Sequence, residues 1–250
     1  MRISIVTVCR NSAETIAGTI RSVAGQEYSD KEHLIIDGAS TDETLEIVRQ
    51  HPSVSRCVSE PDLGIYDAMN KGIELATGEV VGTLNADDIY VDNQVLSEVA
   101  RAFLDPSIDA CYADLVYVDQ LDLNKVIRYW KSRPFAQGLS LTGWMPAHPT
   151  FFVRREVYER FGKFDLSFKR QADFELTLRL LEVHQIRTAY LPRVWVKMRM
   201  GGVSNNSVLG VFKGNLEAYH ACRKHGFQVW LVPFILRKIM SRVPQFFTKP

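Results

Sequence analysis

Two adjacent acids, Asp87 and Asp88, come directly after a run of small and apolar residues, 79–84, that is predicted to form a buried strand. Burying an ionised carboxylate without a partner is strongly unfavourable, so acids at such a point need a cation, a basic side chain or water nearby. Carboxylate oxygens suit a hard divalent cation that also carries a phosphate group. We therefore interpret the end of this strand as a metal and phosphate site.

Polar side chains also follow three earlier predicted strands, at the point where each strand ends. The clusters are Thr7 with Arg10, Asp37 with Gly38 and Ser40, and Asp62 with Gly64. Taken alone, each cluster is also explained as a turn or a helix cap, and residues 70–72 are also explained as the end of a helix stopped by glycine. Ligands of open α/β sheets bind where the carboxyl ends of several strands meet, so the four clusters together favour a ligand site.

The first part of the chain alternates apolar, β-branched runs with amphipathic segments, which predicts a doubly wound α/β layer. Asn11 with Glu14 and Ser40 with Glu43 form cap-like patterns at the starts of two helices. The predicted strands cover residues 3–8, 34–37, 57–58 and 80–84, and the predicted helices cover residues 13–23, a segment ending near 49, and 65–75.

This alternation changes after residue 88. The later predicted helices cover residues 95–104 and 173–181, and the later strands cover 112–119, 126–130 and 150–153, with one or two more within 188–200, broken by Pro192. No clear linker separates the two parts, so we predict one domain over residues 1–222 with two functional halves, 1–90 and 91–222. Residues 223–250 form a tail of different composition.

The charge balance and the cysteines exclude several classes of protein. Lysine and arginine number 30 against 29 acids, so the basic field that nucleic-acid binding requires is missing and no nucleic-acid partner is expected. Four scattered cysteines without a CxxC pair argue against a disulfide framework and a zinc site. The opening residues show no signal-peptide pattern, and the longest apolar run, 229–236, is too short to span a bilayer. We expect a cytoplasmic protein.

The tail, residues 223–250, carries six lysine and arginine side chains and no acid. Aromatic and aliphatic residues are interleaved with these bases, which predicts an amphipathic helix. Such a helix either lies in the interface of an anionic membrane, which would make the protein peripheral on the inner face of the cell membrane, or packs on the body with a solvated basic face. The sequence leaves both interpretations open.

Seven motifs occur in a fixed order between Ile3 and about Ser204. They are SIVTVCRN, IIDGASTDET, SEPDLGIYDAMNKG, GTLNADD, HPTFFVRREVYERFGKFD, RQADFELTLRL and MRMGGVSN. Their set resembles the family 2 glycosyltransferases, inverting and nucleotide-sugar-dependent enzymes of the GT-A fold, and is similar to colanic acid and other exopolysaccharide or O-antigen transferases. The resemblance implies a Rossmann-like, doubly wound mixed sheet, with nucleotide-sugar binding in residues 1–90 and acceptor binding and catalysis in residues 91–222.

The resemblance also implies roles for individual residues at the nucleotide. Thr7, Arg10 and Asp37 would line the nucleoside pocket, and Asp37 would accept a hydrogen bond from a base N–H. Further contacts to the nucleotide are implied for Asp62, Asn70 and Lys71. These six positions are expectations carried over from the family motifs.

The family's DxD motif aligns with Asn85, Ala86 and Asp87. Asp87 would therefore hold Mn²⁺ or Mg²⁺ against the diphosphate of a nucleoside-diphosphate sugar, where the cation would neutralise the charge that grows on the diphosphate as its bond to the sugar breaks. The first position is asparagine in this sequence, which removes one anionic contact near the ribose or the metal. Asp88 is the second expected ligand of the cation.

Direct displacement at the anomeric carbon needs another carboxylate, which takes the proton of the attacking hydroxyl. Asp173 matches the catalytic acid of the family, although its place at the start of a predicted helix would by itself indicate only an acid in the first turn. His148 and Arg170 are weaker candidates for the diphosphate or acceptor region. Gly201 and Gly202 are candidates for a flexible loop that closes over the donor.

The resemblance implies a metal-dependent, inverting glycosyltransferase, and the missing QxxRW pattern implies a non-processive one. Its acceptor would be a hydroxyl of a glycan, linked to a polyprenyl diphosphate, in cell-surface polysaccharide biosynthesis. A nicotinamide dehydrogenase and a P-loop phosphotransferase are disfavoured because the GxGxxG and GxxxxGKS/T patterns are absent.

Two alternatives share the scaffold. One is a catalytically silent module that binds a nucleotide sugar or a glycan, which the presence of both Asp87 and Asp173 disfavours. The other is a sugar-1-phosphate nucleotidyltransferase, which the lack of an N-terminal GxGTR-like loop disfavours.

Overall fold

The computed structural model describes residues 1–201 and 208–248. In these residues the strands are β1 (Ile3–Cys9), β2 (Lys31–Asp37), β3 (Arg56–Ser59), β4 (Val80–Thr83), β5 (Ile89–Tyr90), β6 (Ala110–Val118), β7 (Val126–Trp130), β8 (Phe152–Arg154) and β9 (Thr188–Arg199). The helices are α1 (Ile16–Ala24), α2 (Thr44–Arg49), α3 (Ile65–Leu75), α4 (Val95–Ala102), α5 (Arg155–Phe161), α6 (Ala172–Leu178), α7 (Val208–Lys224) and α8 (Leu231–Met240). The strands described form one mixed sheet in the order β3-β2-β1-β4-β8-β6-β9-β5, with β7 paired to β6.

The first half of the sheet is parallel, as the alternating sequence pattern predicts. Strand β1 lies between β2 and β4, and all of its residues are buried because helices cover both faces of the sheet. The register aligns Cys9 with Asp37 and Asp37 with Ser59, and the N–H of Leu84 donates to the carbonyl of Val6. The carboxyl ends of β1 to β4 therefore meet at one edge of the sheet.

The second half adds antiparallel pairs, which makes the sheet mixed. Strand β8 runs antiparallel to both β4 and β6, whereas β9 runs parallel to β6. The short strand β5 pairs antiparallel with β9, with Ile89 opposite Lys197 and Tyr90 opposite Val196. This pairing brings the end of β9, at Arg199, beside the acidic loop 85–88 that links β4 to β5.

Strand β9 is continuous through Pro192, where the sequence pattern predicts a break. Between the pairs Tyr112–Tyr190 and Asp114–Val194, two residues advance on β6 while four advance on β9. The extra residues form an irregularity that accommodates Pro192, which has no N–H to donate to the ladder. The predicted helix 173–181 also differs, because its regular part ends at Leu178 and a π-type turn, 179–183, follows.

The predicted capping boxes are wrong. Helix α1 begins at Ile16 and α2 begins at Thr44, and neither has a side-chain hydrogen bond at its cap. The hydroxyl of Ser40 instead donates to Asp37 and accepts from the N–H of Asn11, so it joins the two loops that follow β1 and β2. Loop contacts thus outcompete the local capping pattern.

Gly72 lies inside α3, although in isolation residues 70–72 also fit the end of a helix. The helix continues to Leu75, and a Cβ atom at position 72 would overlap the side chain of Val6. Glycine is therefore needed at this position because α3 packs closely on β1. The close contact fixes the second half of α3 against β1 and β2.

The C-terminal part packs on the body of the domain. The predicted boundary after residue 222 falls inside α7, and α8 buries Phe234 and Lys238. The ring of Phe234 lies edge-on to that of Phe174, with 6.2 Å between the centroids. The packed interpretation of the tail is therefore confirmed for this face of α8, and no helix within the described ranges is long and apolar enough to cross a bilayer.

Candidate active site

Asp173 lies in the first turn of α6, where side chains from two other elements meet it. The hydroxyl of Tyr66, on α3, is 3.1 Å from Asp173 Oδ1. The Nδ1 atom of His148, in the short turn 148–150, is 3.5 Å from Asp173 Oδ2. The carboxyl group keeps 15% of its side-chain surface exposed, so it is held by neighbours and is still open to a ligand.

His148 connects the two acidic parts of the site. Burial lowers the pKa of His148, while the carboxylates of Asp173 and Asp87 act in the opposite direction. His148 is therefore neutral at neutral pH, and its Nδ1 atom has no hydrogen-bond partner in the structure. The imidazole is 3.5 Å from Asp173 and within electrostatic range of Asp87, although the two acids are 86 residues apart in the sequence.

The acidic loop 85–88 is built around the fully buried Asp88. The side-chain amide of Asn85 donates to Asp88 Oδ2 over 3.0 Å, and the nearby backbone and charge of Arg199 act to lower the pKa of this carboxyl group. The hydroxyl of Thr19, on α1, donates to the carbonyl oxygen of Asp88 over 2.7 Å and thereby ties the loop to α1. Burial raises the pKa of Asp88 well above its usual range, and the charge of Asp87 adds to the shift.

The loop fits a hard divalent cation. Asp88 Oδ1 and Asn85 Oδ1 are both buried and both lack a hydrogen-bond partner. Burial also raises the pKa of Asp87, although the charges of Arg199 and His148 act to lower it. These basic neighbours therefore do not fully offset the cost of burying the carboxylate. Among the residues described, no group of three His, Cys, Asp or Glu side chains gathers to hold a metal.

Two residues predicted for the nucleoside pocket lie beneath the surface. Asp37 is fully buried, and its carboxyl group accepts hydrogen bonds from the N–H of Ser40 over 2.9 Å and the hydroxyl of Ser59 over 2.7 Å. Thr7 is also fully buried, with its hydroxyl 2.9 Å from Nε2 of His33. Both side chains therefore hold the strand ends together from inside, and a direct contact with a nucleoside stays a prediction.

Arg10 and Asp62 meet at the open edge of the sheet. The Asp62 carboxylate lies so close to Gly38 that a Cβ atom at position 38 would overlap it, and the same atom would lie 3.6 Å from Arg10 Cβ. Asp62 Oδ1 also accepts a hydrogen bond from the N–H of Gly64, which has φ of +122° at the start of α3. Polar groups from the loops after β1, β2 and β3 therefore lie close together at the edge where the parallel strands end.

The side chains of Asn70 and Lys71 both make contacts within the protein. Both ends of the Asn70 amide pair with the backbone of Phe164, each over 2.9 Å. The Lys71 ammonium is 3.0 Å from the carbonyl oxygen of Pro61 and 2.8 Å from a carboxylate oxygen of Glu60. These contacts tie α3 to residues 60–61 and to Phe164, and a contact of Asn70 or Lys71 with a nucleotide stays a prediction.

Arg170 and the glycine pair complete the predicted set. The carbonyl oxygen of Arg170 lies 3.1 Å from the Tyr66 hydroxyl, so the backbone of Arg170 belongs to the site. Gly201 has φ of +112°, and Gly202 lies outside the described residues.

Sequence reasoning did not single out Tyr66 or Arg199, although both lie within the motifs quoted above. Nothing in their spacing indicates that α3 and the end of β9 meet α6 and the acidic loop. The sequence likewise gives no sign that Gln171 and Lys238 are in contact, because this contact depends on the packing of α8.

A parallel, Rossmann-like half-sheet that continues into a mixed sheet, with an acidic loop after its fourth strand, is the arrangement expected of a GT-A glycosyltransferase. The chain belongs to glycosyltransferase family 2, since the profile described as "Glycosyl transferase family 2" matches residues 4–162. The prediction of family and fold is confirmed.

Curated relatives agree with this assignment. A "PGL/p-HBAD biosynthesis glycosyltransferase" of Mycobacterium tuberculosis is 32% identical over 213 residues, which make up 82% of this chain and 80% of the relative. An uncharacterized glycosyltransferase of the same species is 29% identical over 180 residues, or 71% of this chain and 68% of the relative.

Solved structures share the fold. A fragment of S. aureus TarS in complex with UDP-GlcNAc has a TM-score of 0.68 at 17% identity, over 97% of this chain and 72% of the other. The mannosyltransferase PcManGT from Pyrobaculum calidifontis, in complex with GDP-Man and Mn²⁺, has a TM-score of 0.64 at 19% identity. The match covers 96% of this chain and 69% of the PcManGT chain. At these identities the likeness speaks for the fold alone.

Proposed function

We propose that this glycosyltransferase is inverting and non-processive, and that it moves a sugar from a nucleoside-diphosphate sugar to a hydroxyl of a lipid-linked glycan in cell-surface polysaccharide biosynthesis. The observation that carries the proposal is the convergence of Asp87 and Asp173 on His148. One carboxylate belongs to the loop that suits a diphosphate with its cation, and the other stands in the first turn of α6. This arrangement suits a single displacement at the sugar carbon between them.

Asp173 acts as the general base in the proposed reaction. It accepts the proton of the attacking hydroxyl as the new glycosidic bond forms and the bond to the diphosphate breaks. The Tyr66 hydroxyl lies within hydrogen-bonding distance of Asp173 Oδ1 and orients the carboxylate, while Oδ2 remains for the acceptor. Burial and the charge of Asp173 raise the pKa of Tyr66 well above its ordinary value, so this hydroxyl keeps its proton.

Asp87 and Asp88, with the free oxygen of Asn85, are the residues that would hold Mn²⁺ or Mg²⁺. A bound cation would supply positive charge to the leaving diphosphate. Support comes from the buried oxygen atoms without partners in the loop and from the presence of GDP-Man and Mn²⁺ in the complex of PcManGT. The base of the nucleotide and the sugar are left open by these contacts.

The outer face of the C-terminal segment supports a peripheral contact with an anionic membrane, where a lipid-linked acceptor would be found. Apolar side chains on and after α8 are exposed, although Phe234 of the same helix is buried, and residues 223–248 contain basic residues but no acid. Insertion of apolar side chains and attraction of the bases to anionic lipid headgroups act together in such surfaces. The exposed set, called the outer face of α8 below, consists of Trp230, Leu231, Val232, Leu236, Ile239, Met240, Val243, Phe246 and Phe247.

Calorimetry with UDP, GDP and their sugars, with and without Mn²⁺, tests the donor part of the proposal. The wild-type protein should bind one nucleotide class, with higher affinity when Mn²⁺ is present, and should release the nucleoside diphosphate when a polyprenyl-diphosphate-linked sugar is added. The variant Asp173→Asn should keep donor affinity and lose transfer by roughly 10²- to 10⁴-fold, because only the proton acceptor is removed.

The variant Asp87→Asn should lose the effect of Mn²⁺ on binding. Asp122→Asn, which changes an exposed carboxylate in the turn between β6 and β7, is the matched control. Donor binding without transfer in the wild type would favour a silent binding module. Unchanged transfer in Asp173→Asn would remove Asp173 from the reaction.

A further inference from the structure

Lys238 reaches from the C-terminal helix α8 into the interior beside the catalytic helix. Its side chain is 1% exposed, and its ammonium group is 2.7 Å from Oε1 of Gln171. The same ammonium group lies 4.8 Å from the centroid of the Phe174 ring, which provides a cation–π contact. Gln171 is the N-cap residue of α6, two positions before Asp173.

The backbone at the start of α6 is held by the other C-terminal helix. The Glu217 carboxylate, on α7, accepts hydrogen bonds from the N–H of Arg170 over 2.7 Å and from the N–H of Gln171 over 3.1 Å. Helices α7 and α8 therefore grip the same short segment, one through its backbone and one through the side chain of Gln171. The carbonyl oxygen of Arg170, in this segment, also contacts the Tyr66 hydroxyl that orients Asp173.

The turn 140–143 leaves space for the side chain of Lys238 because its last residue is glycine. Gly143 has φ of +84°, and a Cβ atom at this position would overlap the aliphatic stem of Lys238. The stem thus passes directly over the turn 140–143 before the ammonium group reaches Gln171. Burial, followed by the charge of Arg242, lowers the pKa of Lys238 to about 7, whereas Asp173 opposes the shift and so lies within electrostatic range. Keeping an amine in such a place is costly for stability, which argues for a use beyond packing.

We propose that Lys238 is a positioning residue of the active site, which acts through Gln171 to hold the start of α6 and thereby the orientation of the Asp173 carboxylate. The inference rests on the proposed role of Asp173 as general base. It makes the C-terminal helix a part of the catalytic apparatus, because the tail supplies the hydrogen bond that fixes the helix carrying the base. Misplacement of a catalytic group by about 1 Å is enough to slow a reaction by up to about 100-fold.

The test compares Lys238→Met with Lys213→Met, which removes an exposed lysine from α7. Methionine keeps most of the stem of Lys238 but cannot donate to Gln171. In Lys238→Met we expect kcat to fall at least about tenfold while the donor KM and the affinity for the nucleoside diphosphate stay within about twofold. The thermal midpoint should not fall, because a buried amine has been removed. Lys213→Met should match the wild type in all of these measurements.

The variant Gln171→Met provides an independent test and decides the matter if Lys238→Met does not fold. It should show the same fall in kcat, and the double variant should be no slower than the slower single variant, because both substitutions break one interaction. Unchanged kcat in either folded variant, purely additive losses, or a change confined to KM would overturn the role of Lys238. If the wild type itself transfers no sugar, the proposed function fails instead, so the two failures are distinguishable.

Discussion

The hydroxyl of Tyr66 lies 3.1 Å from Oδ1 of Asp173, although 107 positions separate the two residues in the chain. Tyr66 stands at the start of α3, in the half of the sequence that carries the expected nucleotide contacts, and Asp173 stands in the first turn of α6. The contact therefore joins residues 1–90 to residues 91–222, the two halves that are predicted to bind the nucleotide sugar and to carry out catalysis. A donor that shifts the start of α3 on binding would therefore also change the hydrogen bond to Asp173, the proposed general base.

The variant Tyr66→Phe removes this contact without changing the ring. We expect kcat to fall roughly ten- to a hundredfold with donor affinity retained, because a hydrogen bond to a charged group contributes about 1.5 to 3 kcal/mol. Steady-state kinetics and calorimetry measure the two quantities. Tyr28→Phe is the control, since that hydroxyl donates to the carbonyl of Met1 over 2.6 Å. A loss of donor affinity equal to the loss of kcat/KM would contradict an orienting role.

The buried amine of Lys238 should leave a signature in the pH dependence of stability. Its pKa is lowered from 10.5 to about 7 in the folded protein, so the unfolded chain binds the proton more tightly between these values. The destabilisation by the charged amine is complete below pH about 7 and fades as the pH rises towards about 10.5. Chemical denaturation of the wild type and of Lys238→Met should therefore show the variant more stable at pH 6, with the difference shrinking at pH 9. A difference that grows with pH would show that the direction of the shift is wrong.

The outer face of α8 should bind anionic lipid. Phe247 has 84% of its surface exposed, and Phe247→Ala should lower co-sedimentation with phosphatidylglycerol vesicles while leaving the thermal midpoint unchanged. Leu104→Ala is the control, because Leu104 is 79% exposed on a different surface of the domain. Vesicles of phosphatidylcholine alone should bind weakly, since the bases then lack a partner. Equal sedimentation of both variants and the wild type would leave this face as a solvent-exposed surface only.

Two glycines inside helices should respond in opposite directions to the same substitution. Gly72→Ala should destabilise the fold by about 1 to 3 kcal/mol, because the new methyl group would overlap Val6 in the core. Gly214→Ala, in α7, should stabilise the fold by up to about 1 kcal/mol, because its Cβ atom would have no neighbour closer than 3.6 Å and alanine is the better helix former. Urea denaturation measures both changes. Similar effects from the two substitutions would contradict the close packing of α3 on β1.

The periodic features of this protein could be predicted from the sequence. Helix α3 and strand β7 have the predicted bounds, Ile65–Leu75 and Val126–Trp130, and Asp87 and Asp88 do follow a buried strand. The family could be recognised as well, because its motifs lie in loops and helix starts whose order along the chain is read directly. These properties depend on neighbouring residues, so local patterns carry them.

Local sequence patterns could not predict which way the side chains at the strand ends point. Asp37 and Thr7 turn inward to Ser40, Ser59 and His33, because residues alternate between the two faces of a strand and a shift of one position reverses the choice. The capping patterns of α1 and α2 failed for a related reason, since the hydroxyl of Ser40 pairs with Asp37 and with the N–H of Asn11 in the loop after β1.

The sequence by itself determined the family, the alternating layers and the acids that the proposed chemistry uses. Only the tertiary structure decided that Tyr66, His148 and Asp173 meet, and that Lys238 from the tail is buried beside Gln171. Those contacts join segments far apart in the chain, and each exists because an apolar face is buried in one particular packing. Burial favours apolar residues in general but does not specify which distant partner they meet, so the partners follow from the packed fold and not from the order of residues.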